Sequence, residues 1–296
     1  MTKLSIAKIQ RFSTHDGNGI RTVVFVKGCS LRCIWCHNPE MISPANQIIF
    51  IDQKCIYCRL CQSVCPQSAH SFDDDHRIDR SRCASCMACL ESCPTGALQS
   101  SARSMAIDEI LEVVKRDEAF YAETGGMTLS GGEPLSHPEA CIELLAKAKG
   151  MGMNTAIETS GFFDAQYIPR LVKVTDLFLW DFKDGNDERH VKNTGVSNRK
   201  ILENLLLMDS YNVKIILRCL MVKGINMDEV NINAIKKTFH ALNQCVRVDL
   251  LPYHPFGGSK SEQLGMKDNG VKEWIPSNSE LVKVKNMLIS EGIPVK

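Results

Sequence analysis

Two cysteine runs, each spaced C-x2-C-x2-C-x3-C-P, sit in a chain of 296 residues and limit what that stretch can fold into. The first is Cys55, Cys58, Cys61 and Cys65 before Pro66; the second is Cys83, Cys86, Cys89 and Cys93 before Pro94, so the pattern repeats after 28 residues. From about Ile48 to Leu98, cysteines and turn residues replace the long periodic segments found elsewhere. The spacing is that of paired four-iron clusters, in which the fourth cysteine of each run ligates the other cluster. It assigns Cys55, Cys58, Cys61 and Cys93 to one cluster and Cys83, Cys86, Cys89 and Cys65 to the second. C-x2-C pairs also build zinc ribbons, but the doubled run with both prolines favours iron.

A third group lies upstream. In GCSLRCIWCHNPE, residues 28–40, Cys29, Cys33 and Cys36 are spaced C-x3-C-x2-C directly after the apolar run Thr22–Val26. Three thiolates are one too few to close a four-iron cluster, so one iron keeps a position open to a ligand from outside the protein. Eleven of the 14 cysteines fall in the three groups. Disulfide scaffolds are usually small and loop-rich, whereas this chain carries long helical and strand patterns, so metal ligation in a reducing compartment is the better reading. The remaining Cys141, Cys219 and Cys245 lie in helix and strand patterns and read as small buried hydrophobes.

Outside the cysteine-rich stretch, strands and helices alternate. Residues 4–20 read as a lead-in ending in a polar, glycine-punctuated turn, and Thr22–Lys27 as a buried strand. A helix is expected over 107–121, then strands at 127–129, 153–158, 176–181, 213–222 and 246–251. Helices are expected at 137–150, 164–172, 198–210, 229–243 and near 278–291. Such alternation indicates βαβ units and a parallel α/β sheet. Six strands are too few for a closed eight-fold barrel, leaving an open, partial barrel or a doubly wound sheet. The division that follows is 1–47 with 100–296 for the main body and 48–99 for a ferredoxin-like insert.

Sites in parallel α/β folds lie at the C-terminal strand ends. The polar residues there are the three cysteines after the first strand, Gly131, Gly132 and Glu133 after the second, and Glu158 and Thr159 after the third. Asp181 and Lys183 follow the fourth, Arg218 lies on the fifth, and His254 follows the sixth. Glycines allow close backbone approach, Lys183 can neutralise a carboxylate, and Glu158 can accept ribose hydroxyls or help hold a cation. A zwitterionic, nucleotide-like ligand suits this rim. S-adenosylmethionine has those groups, and its amino and carboxylate arms can occupy the open iron.

With these residues assembled, the chain resembles the radical S-adenosylmethionine enzymes, specifically the glycyl-radical enzyme activating enzymes of the pyruvate formate-lyase activase type. The likeness rests on STHDGNGIR, CSLRCIWCHNPE, SGGEP, ETSG, DFK and LPYH in this order, across nearly the whole chain. Asn18 stands where the family usually has proline. The resemblance implies a partial (β/α)6 barrel with a ferredoxin-like insert carrying two [4Fe-4S] clusters, and a third cluster on Cys29, Cys33 and Cys36. It implies that Gly132 and its neighbours Gly131 and Glu133 meet the methionyl amino group, Lys183 its carboxylate, and His254 the adenine side. Glu158, Thr159, Asp181 and Arg218 are expected as further cofactor contacts, with a monovalent cation beside them. Trp35 is kept among the contacts by its place in the loop, although its residue type favours packing.

The implied reaction is reductive cleavage of S-adenosylmethionine, followed by removal of a glycine hydrogen from a partner lyase. The implied partners are a glycyl-radical enzyme, which presents a glycine in a C-terminal loop, and a flavodoxin or ferredoxin reductant. Two alternatives are a radical enzyme acting on a small molecule and an iron–sulfur electron carrier. A net charge of +1 implies no nucleic-acid partner, and without a run of about 18 apolar residues no membrane span is expected. A cytoplasmic, anaerobic, monomeric protein is the resulting expectation.

Overall fold

Runs rich in β-branched and aliphatic residues form the main sheet of the protein, a computed structural model that describes residues 2–267 and 270–296. In chain order the strands are β1 (Lys3–Ser13), β2 (Arg21–Val26), β3 (Ile48–Phe50), β4 (His70–Phe72), β5 (His76–Ile78) and β6 (Leu98–Ser100). They continue with β7 (Arg103–Ala106), β8 (Gly126–Gly131), β9 (Asn154–Thr159), β10 (Leu177–Phe182), β11 (Lys214–Met221) and β12 (Cys245–Pro252). Eight of them form one sheet in the order β12-β11-β10-β9-β8-β2-β1-β7. β2 and β8–β12 run parallel, as the alternation implies, and the order accords with a partial barrel. Helices such as Pro138–Gly150 and Arg199–Asp209 connect them, and the core lies between these helices and the sheet, around Leu129, Ile157, Trp180 and Leu217.

Two local expectations are corrected. The lead-in is not irregular: β1 pairs antiparallel with β2, with Ile9 opposite Val24, and on its other side with β7. A register shift between Ile6 and Lys8 breaks the alternation that would have announced this strand. The helix expected over 107–121 stops at Lys115 and resumes as a short turn, Glu118–Tyr121. Buried Asp117 interrupts it, accepting hydrogen bonds from Arg11 Nε (2.9 Å) and Thr22 Oγ1 (2.6 Å) across the sheet. Two further helices, Asp187–Thr194 and Gly257–Gln263, gave no signal. Their buried residues are His190, Asn193 and Thr194, and Gly257, Gly258 and Ser261, so neither carries an apolar stripe.

Residues 48–100 form two small antiparallel pairs, β3 with β6 and β4 with β5. The 28-residue repeat is structural as well: β3 recurs as β5, the helix Leu60–Val64 as Ala88–Glu91, and β4 as β6. Each pair thus joins the start of one repeat to the end of the other. Tyr57 and Arg59 have φ of 57° and 60°, and their counterparts Ser85 and Met87 have 51° and 67°. Left-handed backbone costs a non-glycine residue roughly 1–2 kcal/mol. The same strain at the same cysteine-flanking positions in both halves points to a shared geometric demand.

The candidate active site

The loop after β2 carries the first three cysteines and is anchored on both flanks. Gly28 and Cys29 donate backbone hydrogen bonds to Met41 (2.8 Å) and Ile42 (3.0 Å), while Arg32 and Ile34 donate to Thr194 (2.7 Å) and Asn193 (2.9 Å). The second pair uses the carbonyl end of the helix Asp187–Thr194. That helix therefore braces the loop, a role with no trace in apolar periodicity. Cys29, Cys33 and Cys36 line one cavity of about 300 Å3 at the C-terminal end of the sheet. Burial pushes the thiols of Cys29 and Cys36 up to about 11 and 12, and that of Cys33 in the same direction. Burial favours the neutral thiols, and a bound metal would ionise them.

Gly131, Gly132, Glu158, Thr159, Asp181, Lys183, Arg218, His254 and Trp35 line the same cavity. Gly131 has φ of +130°, and a Cβ there would overlap the backbone of Val26; one on Gly132 would overlap the carbonyls of Gly28 and Met41. These glycines let the turn after β8 lie directly on the cysteine loop, where Gly132 donates to Val26 O (3.0 Å). Glu133 is the exception among the expected contacts, since it does not line the cavity. It is 1% exposed and accepts from Leu135 N (3.1 Å), Thr159 Oγ1 (2.8 Å), Ser160 N (2.8 Å) and Ser160 Oγ (2.6 Å). Burial raises its pKa against those bonds. Its carboxylate clamps the end of β8 to the end of β9.

Both cations of the lining are paired with its carboxylates. Lys183 Nζ lies 3.1 Å from Asp181, and Arg218 Nη1 lies 3.2 Å from Glu158 and 3.4 Å from Asp16. Burial acts to lower the pKa of Lys183, but Asp181, with Cys33 and Cys29 once ionised, outweighs it, so the ammonium is held above its ordinary value. Burial raises the Glu158 carboxyl, opposed chiefly by Arg218. Glu158 also accepts from Ser130 Oγ at 2.6 Å. On the far wall, His37 Nε2 and His254 Nδ1 share a hydrogen bond, and burial, then His254, lowers His37 to about 4. Both rings are therefore neutral at pH 7 and offer a polar, uncharged surface.

Sequence reading missed Asp16, Ser130, Ser160, His37, Asn38 and Tyr253, all of which line the cavity. Ser130 could have been found, as the inward neighbour of the glycine pair. Asp16 could not, because its place follows from β1, whose end carries it beneath Arg218. In the insert, Cys55, Cys58, Cys61 and Cys93 line a second, smaller cavity. His76 stands beside it, with Nδ1 3.5 Å from Cys55 Sγ. Cys141 and Cys219 are buried and Cys245 is partly buried, as expected of packing residues.

Comparison with known proteins agrees with this geometry. Residues 23–232 match the family model described as the Radical SAM superfamily. The choline trimethylamine-lyase activating enzyme of Oleidesulfovibrio alaskensis is 39% identical over 303 residues, covering 99% of this chain and 97% of that protein. The 4-hydroxyphenylacetate decarboxylase activating enzyme of Clostridioides difficile is 35% identical over 297 residues, covering 97% and 94%. Among solved structures, SuiB of Streptococcus suis bound to its precursor peptide superposes with a TM-score of 0.54. Its identity is 10%, over 90% of this chain and 45% of that one, a likeness of fold alone.

Proposed function

The chain belongs to the radical SAM superfamily and, within it, to the activating enzymes of glycyl-radical enzymes, and from that premise we propose how its residues divide the work. It cleaves S-adenosylmethionine reductively and installs a glycyl radical on a partner enzyme. One observation carries the assignment of residues: three cysteines, a glycine cradle, the Asp181–Lys183 pair and His254 all line one cavity. Cys29, Cys33 and Cys36 would hold a four-iron cluster, which would supply the electron for reductive cleavage of S-adenosylmethionine and so the radical chemistry directed at a glycine Cα.

The protein's part is binding, orientation and exclusion of water. Gly131 and Gly132 present backbone to the methionyl amino group. Lys183, kept charged, meets the carboxylate; His254 and Trp35 face the adenine side. Asp16, Glu158 and Asp181 against Lys183 and Arg218 leave the lining one negative charge in excess, which suits a ligand with a sulfonium. The expected monovalent cation would compete with Arg218 and Lys183, whose charges already sit 3.2 and 3.1 Å from the carboxylates that would hold it. Potassium dependence of cleavage tests it.

We assign residues 48–99 to an insert that holds two further clusters, on Cys55, Cys58, Cys61 and Cys93 and on Cys83, Cys86, Cys89 and Cys65. The shared cavity of the first four and the repeated left-handed residues support this. The insert would pass electrons from a flavodoxin or ferredoxin to the main cluster, in a monomeric protein of the cytoplasm. No helix among the described residues is long and apolar enough to cross a membrane.

Anaerobic reconstitution tests the assignment. We expect about twelve irons per chain, three four-iron clusters. Cys29→Ala should lose about four of them together with S-adenosylmethionine cleavage, while the insert clusters stay; retained cleavage would refute the ligand set. Incubation with a candidate lyase should give a glycine-centred electron paramagnetic resonance signal, whereas cleavage that modifies only a small molecule would favour the alternative chemistry.

A further inference from the structure

The two halves of the insert are alike in backbone and unlike in their surroundings. The repeat places Arg80 where the first half has Asp52. Asp52 is exposed; Arg80 is half-buried and reaches out of the insert. Its Nη1 donates to the Ile48 carbonyl and its Nη2 to the carbonyl of Gln263 at 3.0 Å. Its Nε is buried without an acceptor. Burial lowers its pKa, and Cys83 and Cys89, once ionised, oppose that.

Gln263 ends the helix Gly257–Gln263, a seven-residue element that spans roughly 10 Å. The other end of that helix rests on the cysteine loop: a Cβ on Gly257 would overlap the Cys36 carbonyl, and Lys260 Nζ donates to Asn38 and Glu40, each at 2.7 Å. One short helix thus connects Arg80, and the cysteines beside it, to Cys36. The first half meets the same helix through β3. Cys58 and its counterpart Cys86 are both exposed, but around Cys58 the first half presents Ile56, Tyr57, Leu60 and Val64 to solvent, where the second half has Ala84, Ser85, Ala88 and Ser92.

We propose that Arg80 is a positioning residue for electron delivery, acting on the cluster held by Cys83, Cys86, Cys89 and Cys65. It docks that half of the insert against the main body and, as a fixed buried cation, favours the cluster's reduced form. A reduced cluster carries one more negative charge than an oxidised one, and a half-buried guanidinium with no carboxylate partner among the described residues interacts with that charge at low screening. The second cluster is then the last station before the cysteine loop, and the first, flanked by exposed apolar side chains, receives electrons.

This inference rests on the three-cluster reading, and one experiment separates the two. The reconstituted full-length protein is titrated redox-wise under electron paramagnetic resonance, as wild type, Arg80→Gln, Arg80→Lys and Asp52→Asn. Arg80→Gln should keep its iron and disfavour reduction of one insert cluster at least tenfold, a downward shift of 59 mV or more for one electron. The other two clusters should not move. Arg80→Lys, which keeps the charge, should recover more than half of the shift, and Asp52→Asn should move no cluster by as much. Unchanged potentials in Arg80→Gln overturn the proposal, as does loss of about four irons, which would make Arg80 an assembly brace. A wild type that holds no insert clusters defeats the three-cluster reading itself, and the proposal with it.

Discussion

Replacing Glu133 by glutamine keeps the shape of the side chain and removes half of its function as an acceptor. Each carboxylate oxygen takes two donors: Oε1 from Thr159 Oγ1 and Leu135 N, Oε2 from Ser160 N and Ser160 Oγ. Hydroxyls can turn and accept, but backbone N–H groups cannot, and one stands at each oxygen. Whichever way the amide of Glu133→Gln flips, its NH2 meets a backbone N–H at a position that is 1% exposed. An unmet buried donor costs about 1–3 kcal/mol, and the surviving bonds lose their charge assistance. The expected loss is ~2–4 kcal/mol, a large share of a total stability of about 5–15 kcal/mol. Urea unfolding of the apoprotein, followed by circular dichroism under reducing conditions, measures it. Glu133→Gln within about 0.5 kcal/mol of wild type, the usual range for surface substitutions, would refute the brace. The same variant should weaken S-adenosylmethionine binding, because the clamp holds the turn that carries Gly131 and Gly132.

Gly132→Ala puts a methyl group into the carbonyls of Gly28 and Met41, and the turn must withdraw from the cysteine loop. Isothermal titration should show S-adenosylmethionine affinity reduced at least tenfold, with the iron content unchanged. Asp117→Asn should cost ~1–2 kcal/mol at pH 7 by removing the charge that Arg11 and Thr22 meet. Hydrogen bonding to Arg11 holds the Asp117 carboxyl below its ordinary value when folded. Its stabilisation is therefore fully present above the unfolded pKa, about 3.9, and is lost as pH falls through the lower folded pKa. Unfolding curves of wild type and Asp117→Asn should converge as pH falls below the unfolded pKa; a gap that stays constant with pH would refute the charge argument.

Much of this protein was legible because its chemistry is local in sequence. The three cysteines after β2, Gly131–Gly132, Asp181, Lys183 and His254 lie at or just past a strand end, and a parallel α/β fold brings successive strand ends to one rim. Glu133 shows the limit: its place beside the glycine pair suggested a ligand contact, and the fold spends its carboxylate on Leu135, Thr159 and Ser160 instead. Nothing in a one-dimensional reading says whether a buried acid faces a cavity or another loop.

The amino-acid sequence by itself determined the six parallel strands and singled out three groups of cysteines, because spacing and periodicity carry that information between near neighbours. Tertiary structure decided the rest. β1 brings Asp16 under Arg218, the helix Asp187–Thr194 turns its carbonyls to Arg32 and Ile34, and the helix Gly257–Gln263 links Cys36 to Arg80. These contacts join residues far apart in the chain through polar groups and bare backbone, which leave no hydrophobic period to read.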